Sequence, residues 1–445
     1  VSYLPNTDAE RAKMLAAIGV NNIKDLFVHI PQEVQDAADF SSLTDSLDDM
    51  TLQRKLITMS SNAADLNSNA CFLGAGIYDH YIPPVVGAVC NRSEFYTAYT
   101  PYQPEVSQGV LQSIYEFQSL ITRLTGMDVS NASMYDGATA LAEAVIMSCD
   151  LTKRRTVVLP ANLHPSLRSV VETYLEPLGI AIRTAAQNPV TGVTEIDTLT
   201  EDDACIVLQQ PNFHGVIEDL GAAVAAAKLV GAQTVVSVDP MSLGILETPG
   251  ALGVDIVVGE GQGLGCFPAF GGPLLGLFAC KKEYIRRIPG RIVGGSVDTS
   301  GRRAYTMTLR TREQDIRRDT ATSNICTNQA LFALAATVYL SVMGTQGFKQ
   351  ASTLCLQKSH YLAARLADAG LPQRFSGPFF KEFVITCPAP VVDINKALLE
   401  KKMIGGLPLP DAPNDMLVCV TEQRTKEELD SFVDVLASFV KGEVA

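Results

Sequence analysis

The period of the apolar positions changes twice along the chain, and the changes divide it into three. Thr7-Asp8-Ala9-Glu10 has the form of a capping box, and Met14, Leu15 and Ile18 follow at helical spacing. Leu26, Phe27 and Ile30 extend the stripe to Pro31, so residues 1–68 are expected to form a helical arm with polar connections. Such an arm cannot bury its stripe alone; it must pack on its own body or on a partner chain. Beyond it, β-rich runs appear at Thr156–Leu159, Ala181–Thr184, Cys205–Leu208, Thr234–Val238, Asp255–Val258 and Leu274–Cys280. Helical patterns at Leu141–Cys149, Leu167–Tyr174 and Ala222–Val230 separate several of them. Near-continuous apolar strands alternating with helices predict an α/β domain over residues 69–322, its mostly parallel sheet covered on both faces. Residues 323–445 read as a smaller α+β domain. A long apolar helix leads to strands near Glu382–Thr386 and Met416–Val420, and a last helix opens at a second capping-box pattern, Thr425 to Glu428.

Composition narrows the function. Of 445 residues, 35 are Lys or Arg and 48 are Asp or Glu, a net charge of −13 with no basic block, which argues against a nucleic-acid partner. The ten cysteines include no CxxC pair, and most sit in apolar runs such as Phe278-Ala279-Cys280. They read as reduced thiols used as small hydrophobes, and so as a cytoplasmic protein. The opening Val-Ser-Tyr-Leu-Pro has neither a basic nor an apolar signal region. The most apolar helix candidate, Ala330 to Gly344, is expected to fall short of the ~18–20 residues that span a bilayer, so no membrane partner is expected.

Common catalytic motifs are missing. His29, His80, His164, His214 and His360 show no metal-ligand spacing, and there is no GxSxG elbow or GxxxxGK[ST] loop. Gly259–Gly265 fails GxGxxG because Leu264 stands where the last glycine belongs. A different constellation has several parts in a fixed order. Asp136, Gly137 and Thr139 open a helix whose first N–H groups suit a phosphate. His164 follows the strand Thr156–Leu159, at an end where ligands bind. Asp239 follows Thr234–Val238, where an acid can hold a heteroaromatic nitrogen protonated. Each has a plainer reading as a helix cap, a surface loop residue or a turn. Together they make the frame of a pyridoxal-phosphate site: phosphate cup, stacking imidazole, ring-pairing acid. The lysine such a frame needs should follow the next strand, and Gly259–Gly265 contains none. Lys281 and Lys282 beyond it read as a solvated pair.

Longer strings carry a resemblance. Phe72-Leu-Gly-Ala-Gly-Ile-Tyr78, Phe95-Tyr-Thr-Ala-Tyr-Thr-Pro-Tyr-Gln-Pro-Glu-Val-Ser-Gln-Gly109, Met134-Tyr-Asp-Gly-Ala-Thr139, Ala321-Thr-Ser-Asn-Ile-Cys-Thr-Asn-Gln-Ala330 and Cys419-Val-Thr-Glu-Gln-Arg424 resemble the glycine-decarboxylating P protein of the glycine cleavage system. The resemblance implies an aspartate-aminotransferase-like large domain, fold type I. A single-chain P protein is roughly twice as long, so this chain resembles its N-terminal half made as a separate first subunit. The resemblance then implies that a second subunit carries pyridoxal phosphate in an α2β2-type heterotetramer. The assembly would act on glycine and pass the aminomethyl group to the lipoyl arm of H protein. It places Gly263 where the second half has its cofactor lysine, which leaves Asp136, Gly137, Thr139, His164 and Asp239 as a vestigial frame.

Candidate contributions to a shared site are Tyr96 and Tyr99, expected with Tyr102 on an extended loop because Pro101 and Pro104 oppose a helix. The same loop reads equally as packing at a subunit contact. Arg302, Arg303, Arg310, Arg312, Arg317 and Arg318 could receive the glycine carboxylate or the acidic face of a carrier protein, but read first as a solvated or inter-subunit charge face; Lys381 and Glu382 could face a site, but read first as a strand edge. Two rivals follow: a structural or regulatory pseudoenzyme subunit, and a self-sufficient lyase or aminotransferase, which Gly263 disfavours.

Overall fold

The computed structural model describes residues 6–442 apart from 39, 197, 198 and 270, so the opening residues 1–5 of the arm and the last three residues lie outside it. The chain divides into two units between Asp65 and Leu66. The first holds α1 (Asp8–Ile18), α2 (Gln32–Ala37) and α3 (Asp49–Ser61). The capping box forms: Thr7 Oγ1 accepts from Glu10 N, and Glu10 accepts back from Thr7 N at 2.8 Å. None of the three helices buries a side chain, and Met14, Ile18, Leu56 and Ile57 are exposed.

In the second unit, α4 (Pro84–Cys90), α5 (Ser93–Tyr96) and α6 (Gln108–Thr125) precede a seven-stranded sheet. Its strands are β1 (Val129–Ser130), β2 (Thr156–Pro160), β3 (Ala181–Ala185), β4 (Asp203–Gln210), β5 (Gln233–Val238), β6 (Ile256–Glu260) and β7 (Gly276–Cys280). They lie in the order β1-β7-β6-β5-β4-β2-β3, parallel from β6 to β3, with β7 and β1 antiparallel at the other side. Alternation along each strand feeds two cores. Val157, Leu159, Val235 and Ile256 meet α7 (Gly137–Thr152) and α8 (Pro165–Leu175), while Val158, Val236 and Val257 meet α6 and α9 (Leu220–Val230). A fully buried side chain of this size contributes roughly 1.5–3 kcal/mol, and both faces supply them.

A hairpin, β8 (Ile292–Val297) with β9 (Arg303–Thr308), leads to α10 (Ala330–Asp368). At 39 residues α10 overturns the expectation of a short apolar helix, and it is long and apolar enough to cross a bilayer. Its break at Gly344 (φ 57°, ψ −178°) and the burial of Ala333, Ala336 and Tyr339 against the main core identify a core helix instead. The final layer is an antiparallel sheet, β10 (Glu382–Thr386), β11 (Leu407–Leu409) and β12 (Ala412–Cys419), ordered β10-β12-β11. It packs with α11 (Val391–Glu400) and α12 (Lys426–Lys441), the latter opened by the second capping box at Thr425 and Glu428.

The two sheets meet tightly at Gly215, whose φ is +83° and whose added Cβ would lie 1.9 Å from the Glu382 carbonyl oxygen. Gly215→Ala is therefore expected to lower stability by roughly 2 to 4 kcal/mol, backbone strain and overpacking combined. Denaturant unfolding measures it, and an unchanged midpoint would show that the contact is not held.

Candidate functional site

Strands β5 and β6 pair Val238 with Gly259, so Asp239 and Glu260 follow each other's neighbours at the carboxyl end of the sheet. Glu260 had no part in the sequence reading, yet it fills the start of α7. Its Oε2 accepts from Gly137 N at 2.9 Å, and its Oε1 accepts from Gln262 N at 3.0 Å and Leu275 N at 2.9 Å. Burial pushes this carboxyl up to about 7, against the pull of those three donors. Asp136 caps the same helix, taking Thr139 N at 2.7 Å and the Thr139 hydroxyl at 2.8 Å. The amides of Gly137 and Thr139, the donors a phosphate would use, are thus engaged by carboxylates of this chain. Gly137 must lack a side chain, since a Cβ would stand 2.9 Å from Glu260 N.

Asp239 is occupied in the same way. Its Oδ1 accepts from Met241 N at 3.1 Å, and its Oδ2 is 2.9 Å from the ammonium of Lys381, whose side chain is 1% exposed. The strand-edge reading of Lys381 and Glu382 is thereby corrected. β10 is an edge strand, but this edge faces inward and carries both side chains into the frame. The Lys381 ammonium also lies 3.3 Å from the centre of the Tyr78 ring and 2.9 Å from His80 Nε2. His80 Nδ1 is 2.7 Å from Glu422, which also accepts from Tyr81 N at 2.7 Å and the Cys355 thiol at 3.3 Å. With Nδ1–H donating to Glu422, Nε2 is left to accept from Lys381. Burial pushes the Lys381 ammonium down, but the Asp239 charge and other nearby acids lift it above its ordinary range, so it is charged. For Glu422, burial raises the carboxyl, and the His80 bond and Tyr81 N–H outweigh it, holding it at about 2.

The loop 74–76 closes the other side. Gly74, Ala75 and Gly76 all have positive φ; Ala75 N donates to Glu382 at 2.7 Å, and the Tyr78 hydroxyl donates to Glu382 at 2.8 Å. His164 Nε2 donates to the Ala75 carbonyl at 3.0 Å, while Nδ1 accepts from Ser166 N and caps α8. Its ring meets Phe213 edge-on. Gly263 faces His80, with an added Cβ only 3.1 Å from His80 Cδ2. Asp136, Gly137, Thr139, His164 and Asp239 are thus each engaged by partners from the chain itself. The residues present do not fit pyridoxal phosphate: the ring-pairing acid is neutralised by Lys381, Glu260 holds the Gly137 amide, and position 263 has no amine.

The tyrosine string is only partly the extended loop expected. Tyr96 ends the one-turn helix α5, and Tyr99 and Tyr102 follow it. Tyr96 and Tyr99 are 64% and 81% exposed. Tyr102 is fastened, accepting from Arg291 Nη2 at 3.1 Å under the guanidinium groups of Arg291 and Arg310. Beneath lies a cavity of about 230 Å³ lined by Tyr96, Tyr99, Ile114, Arg291 and Asn328. The arginines do not form one face: Arg302 pairs with Asp298 in solvent, whereas Arg312 is buried and donates to the carbonyls of Ile288 and Gly290. Lys281 is likewise bridged to Asp255 instead of solvated.

A mostly parallel seven-stranded sheet with these groups at its carboxyl end is the architecture of the fold type I pyridoxal-phosphate-dependent enzymes. Similar solved structures include sphingosine-1-phosphate lyase from Burkholderia pseudomallei, with a TM-score of 0.68 at 16% identity, covering 91% of this chain and 94% of that one. Within that class, the chain belongs to the glycine cleavage system P-protein family, whose family model matches residues 1–436. It is 52% identical to probable glycine dehydrogenase (decarboxylating) subunit 1 of Desulforamulus reducens, covering 97% of this chain and 98% of the relative. The Geobacillus kaustophilus protein of the same name is 48% identical, covering 98% of each. A crystal structure of glycine decarboxylase (P-protein) of the glycine cleavage system, in inhibitor-bound form, matches with a TM-score of 0.92 at 39% identity, over 99% of this chain and 100% of that one.

Two outcomes are expected. Mixed with pyridoxal phosphate and reduced with borohydride, the full chain should gain no pyridoxyl group in residues 259–265 and no stoichiometric adduct on any single lysine by peptide mass mapping. One such adduct would overturn the missing anchor. Separately, a depressed carboxyl contributes its stability above its unfolded value and loses it as pH falls through the folded one. Glu422 should thus contribute fully above about 4.5 and lose its contribution towards pH 2. Glu422→Gln should lower stability at neutral pH and flatten the acid decline, read from denaturant midpoints across that window; parallel curves would assign the decline to other groups.

Proposed function

We propose that this chain is the cofactor-free subunit of a heteromeric glycine decarboxylase. In this reading a second subunit, joined in an α2β2-type heterotetramer, carries the pyridoxal phosphate; together they decarboxylate glycine and pass the aminomethyl group to the lipoyl arm of H protein. Pyridoxal phosphate, bound there, supplies the electron sink for loss of carbon dioxide. Supporting the reading are the relatives named as a first subunit and the filled frame around Asp239. The apolar side chains exposed on α1 and α3 suit a partner surface. Ten free thiols suit the cytoplasm.

The observation that carries the proposal is the tyrosine loop. Its base is fixed by Tyr102 on Arg291, while Tyr96 and Tyr99 present ring faces and hydroxyls outward. In this chain's share of the work, those rings wall the partner's site against water, and the hydroxyls bind a carboxylate or hold a proton. The second reading, a purely structural subunit, is favoured by the sealed Asp239–Lys381 pair. Tyr96→Phe and Tyr99→Phe separate the two, because each removes only a hydroxyl. Assembly should survive, and glycine-dependent carbon dioxide exchange should fall by about 10- to 1,000-fold. Normal complexes exchanging at the unmutated rate would establish the structural reading.

A further inference from the structure

A buried cation and a half-buried carboxyl group lie at opposite ends of the frame, and the proposed reaction uses neither. One is the Lys381 ammonium, 2.9 Å from Asp239 and sealed under the Tyr78 ring. The other is the Glu260 carboxylate, which takes the Gly137 amide at the start of α7 and two further backbone donors. An ordinary core would not hold the lysine, since burying an ion is expensive and an apolar residue of similar volume commonly does as well, and the carboxyl group is engaged by backbone donors alone. Their surroundings explain them. Asp239 is held in place by Met241 N with one oxygen turned inward, and α7 sets its positive end, with a Gly137 amide that its own cap Asp136 does not take, against the strand. An acid at one end calls for a cation, and a helix start at the other calls for an anion.

We infer that Lys381 and Glu260 are built-in substitutes for the two charged ends of a pyridoxal-phosphate-type ligand. The ammonium stands for the protonated ring nitrogen and the carboxylate for the phosphate. Because Lys381 enters from the β10 layer, the substitution also fastens that layer to the central sheet in the way a bound ligand would. The tie is doubled by Glu382, which holds the 74–76 loop from the same strand. The inference concerns this chain alone and does not rest on the proposed reaction.

The test uses the full chain and pyridoxine phosphate, which has both charged ends but no aldehyde and so reports the frame without a Schiff base. The wild-type chain should show no saturable thermal shift at millimolar probe. Lys381→Ala combined with Glu260→Ala should melt lower and be restabilised saturably, with half-saturation at least about tenfold below any wild-type response. A saturable wild-type shift would overturn the inference, as would a folded double variant indifferent to the probe. Should that variant not fold, Lys381→Met is compared with Lys381→Met/Asp239→Asn. Removing the lysine alone strands a buried carboxylate, so the second change should recover most of the lost melting temperature. Additive losses would show that Asp239 is not what holds Lys381, and would overturn the inference equally.

Discussion

The pairing of Lys381 with Asp239 brings together the end of a central parallel strand and the first strand of the last sheet. A lysine buried to this degree is stable only with an acid beside it, and the acid is fixed in turn by Met241 N. Everything around the frame is arranged on that pair. Tyr78 covers the ammonium, His80 accepts from it and donates through Nδ1–H to Glu422, and Glu382 draws in the loop that His164 holds from the far side. Take away the cation and Asp239, the Tyr78 ring and His80 lose the one group they share.

The large architecture was legible in the sequence because its signals are local. Thr156–Leu159 and Thr234–Val238 are continuous apolar runs, and a strand buried on both faces must read that way. Both capping boxes carry their own instructions within four residues. The site was legible only in part. Asp136 could be placed at a helix start, and His164 and Asp239 at strand ends, by position, whereas their partners could not. His80 and Glu422 are 342 residues apart, and nothing near either announces the other. Lys381 did leave a trace, a charged pair inside the apolar run Phe379 to Ile385, and edge strands commonly carry such charges for solubility. Glu260 was hidden for another reason: β6 runs two residues further than its apolar pattern, and the acid lies in that extension.

Near the tyrosine loop the balance is opposite. Around Asp239 the polar side chains are spent on one another, but Tyr96 and Tyr99 are left uncommitted on a braced support. Arg291 does the bracing, buried and paired with Glu313 at 3.6 Å. Rigid bases under free side chains are how sites acquire geometry without losing access. One molecule thus contains a polar cluster closed on itself at the sheet's carboxyl end and an open tyrosine loop elsewhere.

Gly263 shows how hard the sealing is to reverse. A lysine introduced there would not find empty space, because its first carbon would already press on His80, and His80 is bonded to both Lys381 and Glu422. Moving His80 unbalances Lys381, removing Lys381 strands Asp239, and Glu260 would still occupy the far end. A single substitution at any of these positions therefore leaves an engaged partner behind and is expected to lower stability. The cluster around Gly263 can therefore change only as a unit, several residues together.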